Sequence, residues 1–318
     1  MALSLPRAII ATNTILLTLA ICSVILRYVV RKQSLVPLGP DDYLVAVALL
    51  FSVLLVVTNI TGVFVGGFGT LVSIWAAEDF AKFLKCWLII QFCYILSVAF
   101  VKLSVLCFYR RIFSAGRTPL VLKVMLCLTS AWLVSFLIAT FAQERPLRCN
   151  WTICLPSTTN FPVMYLVCSL TDMLLDIAIL CIPPVFIRKL NMSRARKIAL
   201  VCIFSLGIFC TVASTARLVY AIGYVIGKYT TLEADLGSAK VHVFMWSGIE
   251  ACASVICANL PCYAPLLKSR PPGSIKTRFR ERFSLRVRLD SRTAISLEES
   301  GAATRDIQEP IPTQNLAG

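Results

Sequence analysis

The chain has 318 residues, 58% of them hydrophobic and only 15% charged, with a formal net charge of +15 and a mean hydropathy of +0.80. So apolar a composition excludes a water-soluble globular fold. The basic excess does not indicate nucleic acid, because it is confined to particular loops and to the tail.

Seven apolar stretches run, in chain order, over about residues 8–30, 43–65, 84–108, 119–142, 163–187, 197–222 and 241–267. Each is at least about 20 residues long, enough to cross a ~30 Å hydrocarbon core as a helix. The expected fold is all-α: a seven-transmembrane helix bundle over residues 1–267, followed by a tail, 268–318. The first stretch starts close to Met1 and is too long for the apolar core of a cleaved signal, so it reads as a signal-anchor.

Basic residues set the orientation. Arg27, Arg31 and Lys32 flank the first loop, Arg110, Arg111, Arg117 and Lys123 the third, and Arg188, Lys189, Arg194, Arg196 and Lys197 the fifth. With the ten in the tail, 22 of the 31 Lys and Arg fall on one side, seven on the other and two, Lys102 and Arg217, inside spans. This asymmetry predicts an outside N-terminus and a cytosolic C-terminus. Arg110, Arg111, Arg188, Arg194 and Arg196 are then the candidate contacts for a cytosolic signalling protein.

Eleven of the fourteen cysteines lie within spans, where Cys behaves as a small apolar residue. Cys86 at the outer mouth of span three, and Cys149 and Cys154 in the second outer loop, are the disulfide candidates, since that loop faces the oxidising side. Cys149–Cys154 and a bridge from Cys86 to either one both remain open. Asn150-Trp151-Thr152 is a glycosylation sequon on the same outer face. Asn59 and Asn191 also begin sequons, one inside a span and one cytosolic, and are expected to be chance matches.

An ionisable group inside a span is costly and normally faces the bundle interior. Span three places Gln91, Tyr94 and Lys102 on one face, and span five Tyr165, Ser169, Asp172 and Asp176. Span six places Cys210, Ser214, Arg217 and Tyr220 together, and span seven His242, Trp246, Glu250 and Ser254. The candidate intramembrane network is therefore Lys102, Asp172, Asp176, Arg217 and Glu250. Arg217 lies at a depth to meet Glu250 or Asp172. For Lys102 the only acidic candidate from that depth argument is Asp176, the alternative being that Lys102 snorkels to the interface. A retinal Schiff base would need a lysine in span seven, and residues 241–267 hold none, so no cofactor is expected.

Several local signatures stand together. Asp41-Asp42-Tyr43 opens span two, where the carboxylates suit a helix N-terminus. Lys102-Leu103-Ser104-Val105-Leu106 and then Phe108-Tyr109-Arg110-Arg111-Ile112-Phe113 close span three. Asp176 precedes Ile182-Pro183-Pro184, a pair of prolines able to end span five. Leu206-Gly207 and Arg217-Leu218 mark span six, and Glu250, Leu260-Pro261 and Pro265 mark span seven. Together these resemble the fungal rhodopsin-like integral membrane family, which includes Pth-type receptor-like proteins and the membrane protein of satratoxin biosynthesis clusters. The resemblance covers almost all of residues 35–267 and implies a fungal source, seven helices and a receptor-like or cluster-associated role. It does not specify a ligand.

In the tail, residues 268–292 hold nine basic and two acidic residues, which suits contact with anionic lipid. Residues 293–318 are rich in Gly, Pro, Ser and Thr and are expected to be disordered. The leading functional expectation is receptor-like sensing of an unknown small molecule by a protein set in the lipid bilayer. The alternatives are a transporter of a small metabolite or ion, and a membrane enzyme of mycotoxin or terpenoid biosynthesis using Asp172, Asp176 and Glu250 as acids. No phosphate loop, metal box or Ser-His-Asp set supports catalysis. The topology has a direct check: a tag after Gly318 should resist external protease in intact cells and a tag before Met1 should be cleaved, and cleavage of the C-terminal tag would reverse the assignment.

Overall fold

The computed structural model describes residues 4–34, 37–65, 77–113, 120–143, 161–187, 207–219, 222 and 235–263. These contain α1 Ser4–Ser34, α2 Pro40–Phe64, α3 Ala77–Phe113, α4 Leu120–Phe141, α5 Phe161–Ile187, α6 Gly207–Val219 and α7 Asp235–Asn259, which runs into a 3₁₀ turn at Leu260–Tyr263. No strand occurs among the described residues. Six of the helices are long and apolar enough to span a bilayer, and α6 is the described part of the sixth expected span. The chain is a multi-pass helical membrane protein.

The helices differ in how much they hide. In their most apolar windows 61% of α3 and 67% of α7 is buried, against 22–33% for α1, α2, α4 and α5. α3 and α7 are therefore the central helices, and the outer ones expose Leu, Ile, Val and Phe such as Leu50, Phe64, Ile138 and Leu174. Those side chains need no protein partner when the solvent is hydrocarbon. The core divides along the bundle. Ile90, Tyr94, Val98, Trp132 and Phe244 pack towards one end, and Leu106, Tyr109, Leu122, Ile179 and Cys262 towards the other. Between α1, α2 and α7, small side chains (Ala20, Ala48, Cys252, Ala258) let the backbones approach closely.

The start of α2 follows its sequence. Pro40 sits in the first turn, and the Asp42 carboxylate accepts the Gly39 N–H at 2.9 Å. α5 ends at Ile187, the bound expected for span five, and runs through Pro183 and Pro184, a pair able to end it earlier. The two prolines deprive the carbonyls of Ile179 and Leu180 of their i+4 donors without ending the helix. The tail, 268–318, lies outside the described residues.

Gly248 on α7 is required by packing. A Cβ there would run into the Asn13 side chain, with Cγ at 3.0 Å, and would lie 3.2 Å from Asn59 Nδ2. Both asparagines are fully buried, and their amides donate to backbone carbonyls of Ile9 and Phe244. At Gly207 an added Cβ would meet only the terminal methyl of Leu180, which can rotate away. Gly248→Ala should therefore destabilise by about 1–3 kcal/mol, the usual cost of overpacking. Gly207→Ala should leave the thermal midpoint in nanodiscs within error of wild type. Equal effects at the two sites would contradict this packing account.

Candidate functional site: an intramembrane charge ring

The four polar stripes meet. Lys102, 3% exposed, projects from α3 to α5, with Nζ 2.7 Å from Asp172 Oδ1 and 2.8 Å from Asp176 Oδ1, and donates to the Asp172 carbonyl at 3.1 Å. All three ammonium protons thus have acceptors. From α6, Arg217 places Nε 2.9 Å from Glu250 Oε2 on α7 and Nη2 3.3 Å from Asp172 Oδ2. The Tyr94 hydroxyl lies 3.0 Å from Asp172 Oδ2 and 2.9 Å from Glu250 Oε2, with one proton to share between them. Ser214 closes the circuit, 3.0 Å from Asp176 Oδ2 and in close contact with Glu250 Oε1. The result is a ring, Lys102–Asp172–Arg217–Glu250–Ser214–Asp176, drawn from α3, α5, α6 and α7.

Aromatic faces hold the guanidinium from the remaining directions. Arg217 Cζ stands 4.3 Å from the centre of the Tyr94 ring and 5.8 Å from that of Tyr165. The three carboxylates bring oxygens within 4.8 Å of one another, a spacing that would suit a cation. Lys102 and Arg217 already supply positive charge at that point.

Directly above the ring, towards the end expected to face outside, is a crevice between α3, α4, α5, α6 and α7. It encloses about 470 Å³ of space with its open mouth included, of which about 30 Å³ is open to the centre of a water molecule. Trp87, Phe136, Tyr165 and Phe244 form much of its wall, and Tyr94 and Arg217 belong to both crevice and ring.

A second charge cluster lies at the other end of the bundle. Arg27, fully buried on α1, places Nη2 2.5 Å from Asp41 and Nε 2.7 Å from Asp42 on α2, and Nη1 donates to the Ala258 carbonyl of α7 at 2.9 Å. Arg31 pairs with the same two carboxylates, 2.9 Å from Asp42 and in close contact with Asp41. Ser104 of α3 donates to the Asp41 carbonyl at 2.7 Å. These residues read in sequence as topogenic charges and a helix cap. The structure makes them an internal lock joining α1, α2, α3 and α7. The available signal was the i, i+4 spacing of Arg27 and Arg31, which puts both on one face just ahead of two adjacent carboxylates.

Arg217 reaches Glu250 and Asp172 together. For Lys102 the expectation was too narrow: Asp172 as well as Asp176 reaches it, and it does not snorkel. Depth counted in residues assumes upright helices, and helix tilt removes that assumption. Of the proposed cytosolic contacts, Arg110 is exposed, while Arg111 is partly committed, donating to the Pro37 carbonyl at 3.0 Å and standing 3.6 Å from Asp41. Arg188, Arg194 and Arg196 lie outside the described residues, as do Cys149, Cys154 and Asn150. Cys86 is half-buried with a free thiol.

Breaking one partner out of a buried ion pair costs on the order of 3–5 kcal/mol, because the other charge is left uncompensated. Arg217→Ala and Arg27→Ala should both lower thermal stability by that order, and Arg110→Ala, at an exposed site, should not. Asp172→Asn should exceed Asp176→Asn, since Asp172 serves both cations. Arg217→Ala combined with Glu250→Gln, or with Asp172→Asn, should fall short of the sum of the single effects. Melting curves of the single and double variants in nanodiscs decide the matter. Strict additivity for both pairs would mean that Arg217 is not held by either carboxylate.

The family model described as "Fungal rhodopsin domain" matches residues 26–269. Among curated proteins, the chain is 25% identical over 264 residues to "Wortmanamides biosynthesis cluster protein C" of Talaromyces wortmannii, covering 80% of this chain and 69% of the relative. It is 25% identical over 201 residues to "Receptor GIN3" of Arthrobotrys oligospora, covering 61% of this chain and 47% of that protein. No solved structure matches it. The matched region takes in every residue of both charge clusters, and the chain belongs to the fungal rhodopsin domain family.

Proposed function

We propose that this chain is a receptor-like membrane sensor. A small molecule entering the crevice from outside changes the geometry of the charge ring, and the bundle passes that change to a cytosolic signalling protein. One observation carries the reading: Tyr94 and Arg217 are shared between the crevice wall and the ring, so an occupant would touch the network that ties α3, α5, α6 and α7 together. A ligand shifts a conformational equilibrium only by the difference in its affinity for the two states. A ring with several near-equivalent acceptors around Tyr94 and Ser214 supplies such a difference when one contact is exchanged for another. Exposed Arg110, together with Arg188, Arg194 and Arg196 that the basic-residue pattern assigns to the cytosolic side, are the contacts proposed for an acidic partner.

A second reading draws on the relative named as a biosynthesis cluster protein: the chain would move a metabolite across the membrane or take part in its synthesis. The two separate on timing. In the sensor reading, an organic extract of the fungus's own culture medium should change cytosolic protein phosphorylation within minutes in wild-type cells. The change should be absent in a gene-deletion strain and in one carrying Arg217→Lys, with intracellular metabolite content unaltered. Identical phosphorylation responses in all strains, with metabolite retained or lost in the deletion, would transfer the assignment to transport.

A further inference from the structure

We infer that the crevice above the ring is a binding site for a neutral, largely apolar molecule ending in a carbonyl or hydroxyl group. The inference deepens the sensor reading and takes its biological meaning from it, although binding is measured without any signalling step.

Three residues of the crevice wall hold buried polar atoms without a hydrogen-bond partner among the described residues: Gln91, Tyr165 through its hydroxyl, and Arg217. Gln91 is 8% exposed, and its Oε1 has no hydrogen-bond partner among the described residues. Arg217 is fully buried, and its Nη1 has none either, although Nε and Nη2 face Glu250 and Asp172. Both residues line the same crevice. A buried donor or acceptor left unmet costs about 1–3 kcal/mol, so something is expected to meet these groups. Water can do so in the free protein, since the crevice has room for it. A ligand hydroxyl or carbonyl of one or two heavy atoms would replace that water. It would accept from Arg217 and, where it is a hydroxyl, donate to Gln91.

Charge decides against an ion. An anion approaching Arg217 would also face Asp172, Asp176 and Glu250, three carboxylates set against two cations in one ring. A cation would meet the guanidinium first. A neutral dipole avoids both penalties. The rest of the wall is suited to an apolar body: Trp87 and Phe244 meet edge to face at 5.1 Å, and Phe136 and Met164 complete the mouth.

The test uses the full chain in nanodiscs and three fluorescent naphthalenes: 6-acyl-2-dimethylaminonaphthalene, the matching 6-carboxylate, and the parent 2-dimethylaminonaphthalene. The ketone should bind saturably above its partition into empty nanodiscs. The carboxylate and the parent should each bind at least tenfold more weakly. Gln91→Leu, checked by its melting curve, should leave the ketone unchanged but weaken the alcohol obtained by reducing that ketone about fivefold, while Arg110→Ala should change neither. Carboxylate binding equal to that of the ketone, or ketone uptake no different from empty nanodiscs, overturns the inference. The wild-type comparison of the three probes stands whether or not any variant folds. Selective ketone binding without a phosphorylation response in cells would leave the site in place and remove the sensor reading. A phosphorylation response without ketone selectivity would do the reverse.

Discussion

The cost of holding charge in a low-dielectric interior constrains this molecule more than any other interaction. Lys102, Asp172, Asp176, Arg217 and Glu250 are buried in a bundle whose outer surface is hydrocarbon-facing. None of them is tolerable there alone. They can be satisfied only if α3, α5, α6 and α7 come together at one depth and one rotation. Lipid offers no hydrophobic drive for one helix to prefer another, so directional pairing of this kind is what selects neighbours. The four helices are positioned by their charges first, and the apolar packing of Tyr94, Val98, Cys168 and Ala251 follows.

The second cluster applies the same constraint to the remaining helices. Arg27 and Arg31 on α1, Asp41 and Asp42 on α2, Ser104 on α3 and the Ala258 carbonyl on α7 form a lock at the opposite end. α3 and α7 belong to both groups. Lys102 and Ser104 are two residues apart on α3, the first in the ring and the second in the lock. On α7, Glu250 and Ala258 are two turns apart and divide the same way. A displacement of either central helix must therefore be registered at both ends. These are also the two most buried helices.

Much of this was legible in the residues. Span-length apolar runs gave the helices, and polar residues recurring at helical spacing on spans three, five, six and seven pointed to a polar interior and its five ionisable members. Three things were not legible, each for a physical reason. Arg27 and Arg31 sit near a span end, where a topogenic charge and a buried ion-pair partner have the same sequence appearance; only the three-dimensional approach of Asp41 and Asp42 separates them. Lys102 was matched to one carboxylate instead of two because residue counting ignores tilt and the reach of a four-carbon side chain. Whether Pro183 and Pro184, both able to end a helix, stop span five short of its expected bound at Ile187 was open in the residues, and α5 runs through them. In a helix the N–H groups they lack leave two carbonyls short of donors, and tertiary packing decides whether that cost is borne.

The ring and the lock differ in a way that bears on function. In the lock, Arg27 spends its whole guanidinium: Nε on Asp42, Nη2 on Asp41 and Nη1 on the Ala258 carbonyl. A group so saturated has nothing left with which to recognise a ligand, and any movement there loses contacts without replacement. In the ring, Arg217 is equally buried but keeps Nη1 unspent, and it points into a crevice with a second unmet group, Gln91, on the facing helix. Stability alone would not favour that arrangement, since a well-packed apolar core of the same volume is often as stable as a buried ion pair or more so. An incompletely satisfied charge beside an opening is the condition under which occupancy alters the balance of the network. Arg27, with all three nitrogens engaged, fixes the helices, and the ring, with Arg217 Nη1 unmet beside the crevice, is the part left able to respond.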